Sequence, residues 1–343
     1  MPPQKLYILK VLLVASGLLI GGSAIAAGEP TKLRFTLDWI PGSVHGPFFI
    51  ALYRGYYKDE GLDVTIVPGK GSAEVVRQLA SGTYDMGYPD INVLIEFNAR
   101  NPAQHFPEVM IGYEQAPASI FVLRKSGITS PQQLAGKTLG AAANDSTFKL
   151  FPIFAKFAGF DANAVTVKTI DPALREGLLV NGEVDAIAAQ MFNAMLSLKA
   201  KGIKEDQVGY FLYKDYGLDL YSNGLAASRA FLTEHGDAVR GFLRATIKGV
   251  RDMAEQPELA VAMAQRFEPL LKSDIERERL QLAMSCCILT PNVLKSGFGG
   301  VDTTRLERSI GQIVKAYDLP RTPSIEEMFD ASYLPPPQDR MIK

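Results

Sequence analysis

Five short groups of residues each follow an apolar stretch that reads as a strand: Asp38-Trp39, Gly71-Ser72, Tyr88 with Asp90, Asn144-Asp145-Ser146, and Gln190 with Phe192. The chemistry they offer is recognition. Trp39, the only tryptophan of the chain, can stack on a planar ring while the neighbouring carboxylate accepts from an amino group. Gly71-Ser72 at a helix start presents free backbone N–H groups and a hydroxyl, suited to an anion or a polar oxygen. Asn144, Ser146 and Gln190 add neutral donors and acceptors.

Each group also has a plainer role. Trp39, beside Pro41 and Gly42, fits the cover of a core edge as well as ligand stacking. Gly71-Ser72 is equally an ordinary helix cap, and Asp90 reads first as the cap that fixes Asn92 and the helix after it. His45 reads as a hydrogen-bonded structural histidine before a contact, while Asp38 fits either a loop-orienting group or an acceptor for an amine. Other chemistries lack their residues. His45, His105 and His235 are scattered without ligand spacing, and neither a Gly-Lys-Ser phosphate loop nor a Gly-x-Ser-x-Gly elbow occurs, so the sequence implies no metal site and no resident cofactor.

The elements that must position these groups alternate between strand and helix. Leu33, Phe35 and Leu37 alternate with polar residues as a strand would, a helix follows from Pro47 to Tyr57, and Val64 to Val67 is the next strand. A helix over Ala73 to Ala80 leads to a third strand at Asp85 to Gly87, and Val109 to Tyr113 continues the unit. The plan then repeats: strand Thr138 to Ala142, helix Ser146 to Ala158, strand Val165 to Thr169, helix Pro172 to Val180, strand Asp185 to Ala189. The repeat is visible in the letters, since Leu79-Ala-Ser-Gly-Thr-Tyr-Asp85 resembles Leu179-Val-Asn-Gly-Glu-Val-Asp185, with Gly82 and Gly182 where a helix closes left-handed.

Two α/β lobes imply a cleft between them, and in parallel α/β sheets ligands sit beyond the carboxyl ends of strands. That rule selects the five groups, together with Asp171. The expected division is a signal peptide at 1–26, lobe I from 27–117 and 224–343, and lobe II from 118–223, with crossovers near Gln115 to Ala118 and Leu218 to Asn223. Strand–helix alternation predicts parallel sheets. The amphipathic helices Asp237 to Glu255, Pro257 to Phe267, Ser273 to Met284 and Thr303 to Tyr317 are expected to pack on lobe I.

Lys5 and Lys10, an apolar core from Val11 to Ile20 and Ala24-Ile25-Ala26 read as a secretory signal, which places the mature chain in an extracytoplasmic space. The formal net charge of −1 becomes −3 without the two leader lysines, and no long basic run occurs, which argues against nucleic acid as a partner. The adjacent Cys286 and Cys287 lie in a helical, half-buried run and read as two reduced core thiols, with a strained vicinal disulfide as the alternative.

Leu37-Asp38-Trp39-Ile40-Pro41, His45, Gly55-Tyr-Tyr-Lys-Asp-Glu-Gly-Leu-Asp-Val64, Gly69 to Ser72 and Ala80-Ser-Gly82-x-x-Asp85-x-Gly87 together resemble the periplasmic solute-binding family of sulfonate, taurine, nitrate and thiamine-pyrimidine-precursor importers. Ser130-Pro131-x-x-Leu134-x-Gly136-Lys137-x-Leu139-Gly140 is similar to that family's opening of lobe II. The resemblance implies a type II periplasmic binding protein fold: a monomer that closes its cleft on a small solute, with a pyrimidine favoured over a sulfonate, and delivers it to an inner-membrane ABC permease. The family has an enzymatic branch, a thiamine pyrimidine synthase that consumes its own histidine and a lysine-bound pyridoxal phosphate. At the corresponding places this chain has Val93 and Pro89, and Tyr216 to Gly224 lacks that branch's cysteines.

Overall fold

The computed structural model describes residues 29–342; the expected signal peptide lies outside them. The first sheet contains β1 (Thr31–Thr36), β2 (Leu62–Val67), β3 (Met86–Gly87) and β4 (Glu108–Ile111). The second contains β5 (Ala118–Leu123), β6 (Thr138–Ala141), β7 (Thr166–Thr169), β8 (Ala186–Gln190) and β9 (Val208–Leu212). A last strand, β10 (Gly224–Ala227), returns to the first sheet. The orders β2-β1-β3-β10-β4 and β7-β6-β8-β5-β9 match position for position.

The two copies are built with the same bonds. Gly82 and Gly182 both close their helices with left-handed φ, at 70° and 74°. Asp85 then reaches back to its sheet, where its carboxylate accepts from the Arg34 amide at 2.7 Å, and Asp185 does the same for the Thr138 amide at 2.8 Å. The aspartate that marks the repeat therefore ties the third strand of each lobe to the first.

Neither sheet is purely parallel, contrary to the sequence expectation. β10 runs antiparallel to β3 and β4, and β5 runs antiparallel to β8 and β9. The reason is topological: the strand that follows each crossover enters its sheet from the far end and fills the fourth place.

Helices α1 (Gly46–Tyr53), α2 (Ser72–Ala80) and α3 (Ile91–Arg100) cover the first sheet. In the second unit, α4 (Ser146–Lys149) and α5 (Phe151–Ala158) replace the single helix expected from 146 to 158. Pro152, which has no N–H to donate, sits in the first turn of α5 and marks the break. They are followed by α6 (Arg175–Val180) and α7 (Met191–Ala200). The longer helices of the C-terminal part are α8 (Gly236–Glu255), α9 (Pro257–Phe267), α10 (Ser273–Ala283) and α11 (Thr303–Ala316). Helices α8 and α9 pack on α1, and α11 on α3. Phe35 of β1 anchors this core between Phe48 and Phe242, with ring centroids 4.8 and 5.1 Å away. Helix α10 departs from expectation, because it lies against α7 of the second unit as well as α9.

Cys286 and Cys287 are joined as a vicinal disulfide in the π-helical turn Met284–Ile288, which corrects the reading of two free thiols. An α-helix splays adjacent side chains apart, and the chain leaves α geometry at this turn.

Candidate ligand-binding site

The strand ends of the two units face each other and are in contact. Asp38, Trp39, Gly71 and Ser72 from the first unit, and Asp145, Ser146 and Gln190 from the second, line one space together with Arg175 and Asn193. This inner cavity measures about 10 Å³, the room of roughly a single water. Trp39, Arg175 and Asn193 also form the wall of an adjoining chamber of about 350 Å³, bounded further by Pro41, Glu276 and Arg279. The chamber has the size of a small-molecule site.

The Asp38-Trp39 turn is held from below and behind. The Asp38 carbonyl accepts from the Gly71 amide at 2.7 Å, and the Trp39 carbonyl from the Gly69 amide at 3.2 Å. His45 is buried; its Nδ1 accepts from the Gly42 amide at 3.3 Å, which leaves Nε2 to donate to Asp38 Oδ1 at 3.0 Å. His45 is thus a support for Asp38, one step removed from the cavity.

Gly71 and Asn144 bring the units together. The Asn144 carbonyl accepts from the Ala73 amide at 3.2 Å, and its Oδ1 from Arg77 at 3.1 Å. A Cβ on Gly71 would stand 2.4 Å from the Asn144 carbonyl oxygen, and Gly71 has φ of 119°. Only glycine fits both the backbone and the approach. Asn144 therefore closes the rim, outside the residues that line the cavity.

Asp145 caps α4 through the Thr147 amide at 2.7 Å and receives Arg175 Nη1 at 3.0 Å. Burial raises its pKa against the pull of Arg175. Arg175 was not legible as a site residue, because it comes from the first turn of α6, beyond Asp171 at the end of β7. It is 3% exposed, donates from Nε and Nη2 to Glu176 at 3.0 and 2.7 Å, and reaches the Ala188 carbonyl at 3.2 Å. Burial alone would lower its pKa, but Glu176 and Asp145 outweigh burial and hold it above the ordinary value. Asp171, by contrast, is exposed and caps the Pro172 turn.

Gln190 donates to Asn223 Oδ1 at 3.1 Å and accepts from Asn193 at 3.1 Å. Asp90 is the cap that the sequence suggested: Oδ1 accepts from the Asn92 amide at 2.8 Å. Its second oxygen accepts from Ser222 at 2.7 Å, at the returning crossover. Burial raises the Asp90 pKa, opposed by Ser222, Asn92 and Ser146 across the cleft.

Two expected contacts stand elsewhere. Tyr88 is buried behind the cleft, edge-on to Phe48 and Tyr113 at 5.1 and 5.5 Å, with its pKa raised well above the ordinary value by burial. Phe192 is buried edge-on to Tyr113 at 5.7 Å. Both rings fill the gap between the sheets near the hinge, where apolar burial outweighs access to a polar cleft. The residues that sequence reasoning missed are Arg175, Asn193, Asn223, Glu276 and Arg279.

Comparison with known proteins places this geometry. The formylaminopyrimidine-binding protein of Halalkalibacterium halodurans is 28% identical over 302 residues, 85% of this chain and 87% of that protein. The 4-amino-5-hydroxymethyl-2-methylpyrimidine phosphate synthase of Candida albicans is 26% identical over 263 residues, 73% of this chain and 75% of that enzyme. Among solved structures, the alkanesulfonate-binding protein SsuA of Xanthomonas axonopodis pv. citri, bound to MOPS, superposes with a TM-score of 0.66 at 16% identity, over 90% of this chain and 99% of that one. The shared architecture is the periplasmic binding protein fold. The family model described as NMT1/THI5 like matches residues 43–260, more than half of the sequence, and the chain belongs to that family.

Proposed function

We propose that this protein is the extracytoplasmic solute-binding component of an ABC importer, which closes its two lobes, 27–117 with 224–343 and 118–223, on a small planar polar heterocycle and delivers it to an inner-membrane permease. A pyrimidine with an exocyclic amino group is the favoured solute. One observation carries this reading: the buried cation of the inner cavity, Arg175, is already met by Asp145 and Glu176, while the aromatic face beside it belongs to Trp39. A sulfonate or nitrate would compete with two carboxylates for that guanidinium. An aminopyrimidine instead brings donors to carboxylates and amides, and a flat ring to the indole. The formylaminopyrimidine bound by the Halalkalibacterium halodurans relative agrees with this chemistry.

The relation to a synthase supports an alternative, an enzyme that makes the pyrimidine. Pro89 and Val93 weigh against it: the first has no amine for a Schiff base and the second no imidazole. No helix among the described residues is long and apolar enough to cross a membrane. Mass spectrometry of the solute released from purified protein, followed by calorimetric titration with 4-amino-5-hydroxymethyl-2-methylpyrimidine, taurine and nitrate, tests the reading. Micromolar or tighter binding of the pyrimidine alone is the expected result, and selective binding of taurine or nitrate would replace it.

A further inference from the structure

A continuous set of hydrogen bonds runs around the cleft and joins the site to α10. Glu276 of α10 accepts from the Ser43 amide at 2.7 Å, directly after the loop that carries Trp39. Its other oxygen accepts from Arg279 Nε at 3.0 Å. Arg279 Nη1 crosses to the second lobe, where it donates to the carbonyl and the Oδ1 of Asn193 at 3.0 and 3.1 Å. Asn193 donates to Gln190, and Gln190 donates to Asn223 at the returning crossover. Asn223 in turn donates to the Tyr88 carbonyl at 3.0 Å.

We propose that Arg279, acting through Asn193, is the latch that holds the cleft shut and orients Gln190 toward the solute. Arg279 is a positioning residue in this scheme. The inference rests on the solute-binding reading and adds what fastens the closed form. Three features single out Arg279 among the contacts between α10 and the second lobe. It is buried, where a charge-assisted bond is poorly replaced by water. It is anchored by Glu276 to the loop that bears Trp39, so moving the second lobe away breaks bonds at the solute's own wall. Its partner Asn193 donates to Gln190 Oε1 and so fixes the amide's orientation, with Gln190 Nε2 directed to Asn223. The neighbouring pair Lys199–Glu278 also spans the lobes, but both side chains are about half exposed, and such pairs contribute little.

Contacts that exist only in the closed form shift the open–closed balance, whereas contacts kept in both forms do not. Loss of the latch therefore affects closure first and affinity as a consequence. The test compares wild-type protein with Arg279→Gln and Arg279→Lys by small-angle scattering, with and without saturating 4-amino-5-hydroxymethyl-2-methylpyrimidine, and by calorimetry. Arg279→Gln is expected to remain expanded at saturation and to bind roughly ten- to a hundred-fold more weakly, the loss of a charged hydrogen bond or two. Arg279→Lys, which keeps the ion pair with Glu276 and one donor for Asn193, is expected to recover part of both. Matching far-ultraviolet circular dichroism spectra and melting temperatures of the unliganded variants separate this from misfolding. Full compaction of Arg279→Gln at saturation overturns the latch, even if affinity falls, because the arginine then acts only by contact. If the wild-type protein does not bind the pyrimidine, the proposed solute is wrong, and the same scattering comparison with the solute released from purified wild-type protein decides the latch: compaction of wild type but not of Arg279→Gln supports it, and compaction of both overturns it.

Discussion

The guanidinium of Arg175 lies 5.2 Å from the centre of the Trp39 ring, across the boundary between the two lobes. One face of the indole is thereby occupied by the second lobe, and a solute that stacks on Trp39 must use the other face or displace the arginine. Trp39→Ala is expected to weaken solute binding by about 1 to 3 kcal/mol, the usual loss for a large aromatic contact, while the melting temperature of the unliganded protein stays near that of wild type. Calorimetry on the co-purified solute measures it, and unchanged affinity would remove Trp39 from the site.

Arg175→Met separates binding from folding in the opposite way. It leaves Asp145 and Glu176 buried without their shared cation, so the main effect is on stability, about 3 to 5 kcal/mol as for other broken buried pairs. Urea denaturation provides the measure. A variant as stable as wild type would show that the two carboxylates are met by other groups.

Gly71→Ala tests closure without removing any polar group. The added Cβ is strained by roughly 1 to 3 kcal/mol at this glycine-favouring φ and ψ, but the collision with the Asn144 carbonyl exists only when the lobes meet. Affinity is expected to fall at least about tenfold, with scattering showing incomplete compaction at saturating solute. Wild-type compaction in this variant would mean that the lobes close along another path.

The parts of the fold that were legible were those with a local signal. Gly82 and Gly182, Asp85 and Asp185, and the alternation through Leu33, Phe35 and Leu37 encode turns, a strand tie and a buried face within a few residues. Strand direction has no such signal: Ala118 to Leu123 is buried along its whole length, so its side chains show neither a period nor an orientation. The strand-end rule found seven of the nine residues around the inner cavity. It missed Arg175, which follows the Pro172 turn after Asp171, and Asn193, and it selected Tyr88 and Phe192, whose bulk is used in packing. Nothing local could show that α10 bridges the lobes, since its apolar stripe is satisfied equally by either one.

Incubation with pyridoxal phosphate and iron is expected to give no pyrimidine product. The Pro89 carbonyl accepts from the Gly224 amide at 2.9 Å, and Val93 is buried in the adjacent helix, so neither place can present an amine or an imidazole. Borohydride trapping followed by peptide mapping provides the check. A pyridoxyl adduct on one lysine, whose replacement abolished product, would establish the enzyme reading.

Amino-terminal sequencing of the exported protein is expected to begin at Ala27 or Gly28, after Ala24-Ile25-Ala26. Recovery of the uncut chain in the membrane fraction would contradict a free periplasmic form.

Glu108 of β4 is fully buried, and neither of its carboxylate oxygens has a partner among the described residues. Burial, with a smaller contribution from the nearby charge of Asp90, holds its pKa well above the ordinary carboxyl value of 4.5. Below that value both the folded and the unfolded chain carry the proton, and Glu108 adds no pH dependence to stability. As pH rises past it, the unfolded chain releases the proton while the folded chain keeps it, so stability declines until the folded group also ionises. Asp90 and Asp145, whose pKa values are raised too, push in the same direction. Glu108→Gln keeps the shape without the titration. It is expected to match wild type near pH 4.5 and to be the more stable of the two at pH 8, where the unfolded wild-type chain has released its Glu108 proton. Urea midpoints across that range decide the matter. Parallel pH profiles for the two proteins would mean that Glu108 is solvated or paired in solution and that its burial contributes nothing to the pH dependence.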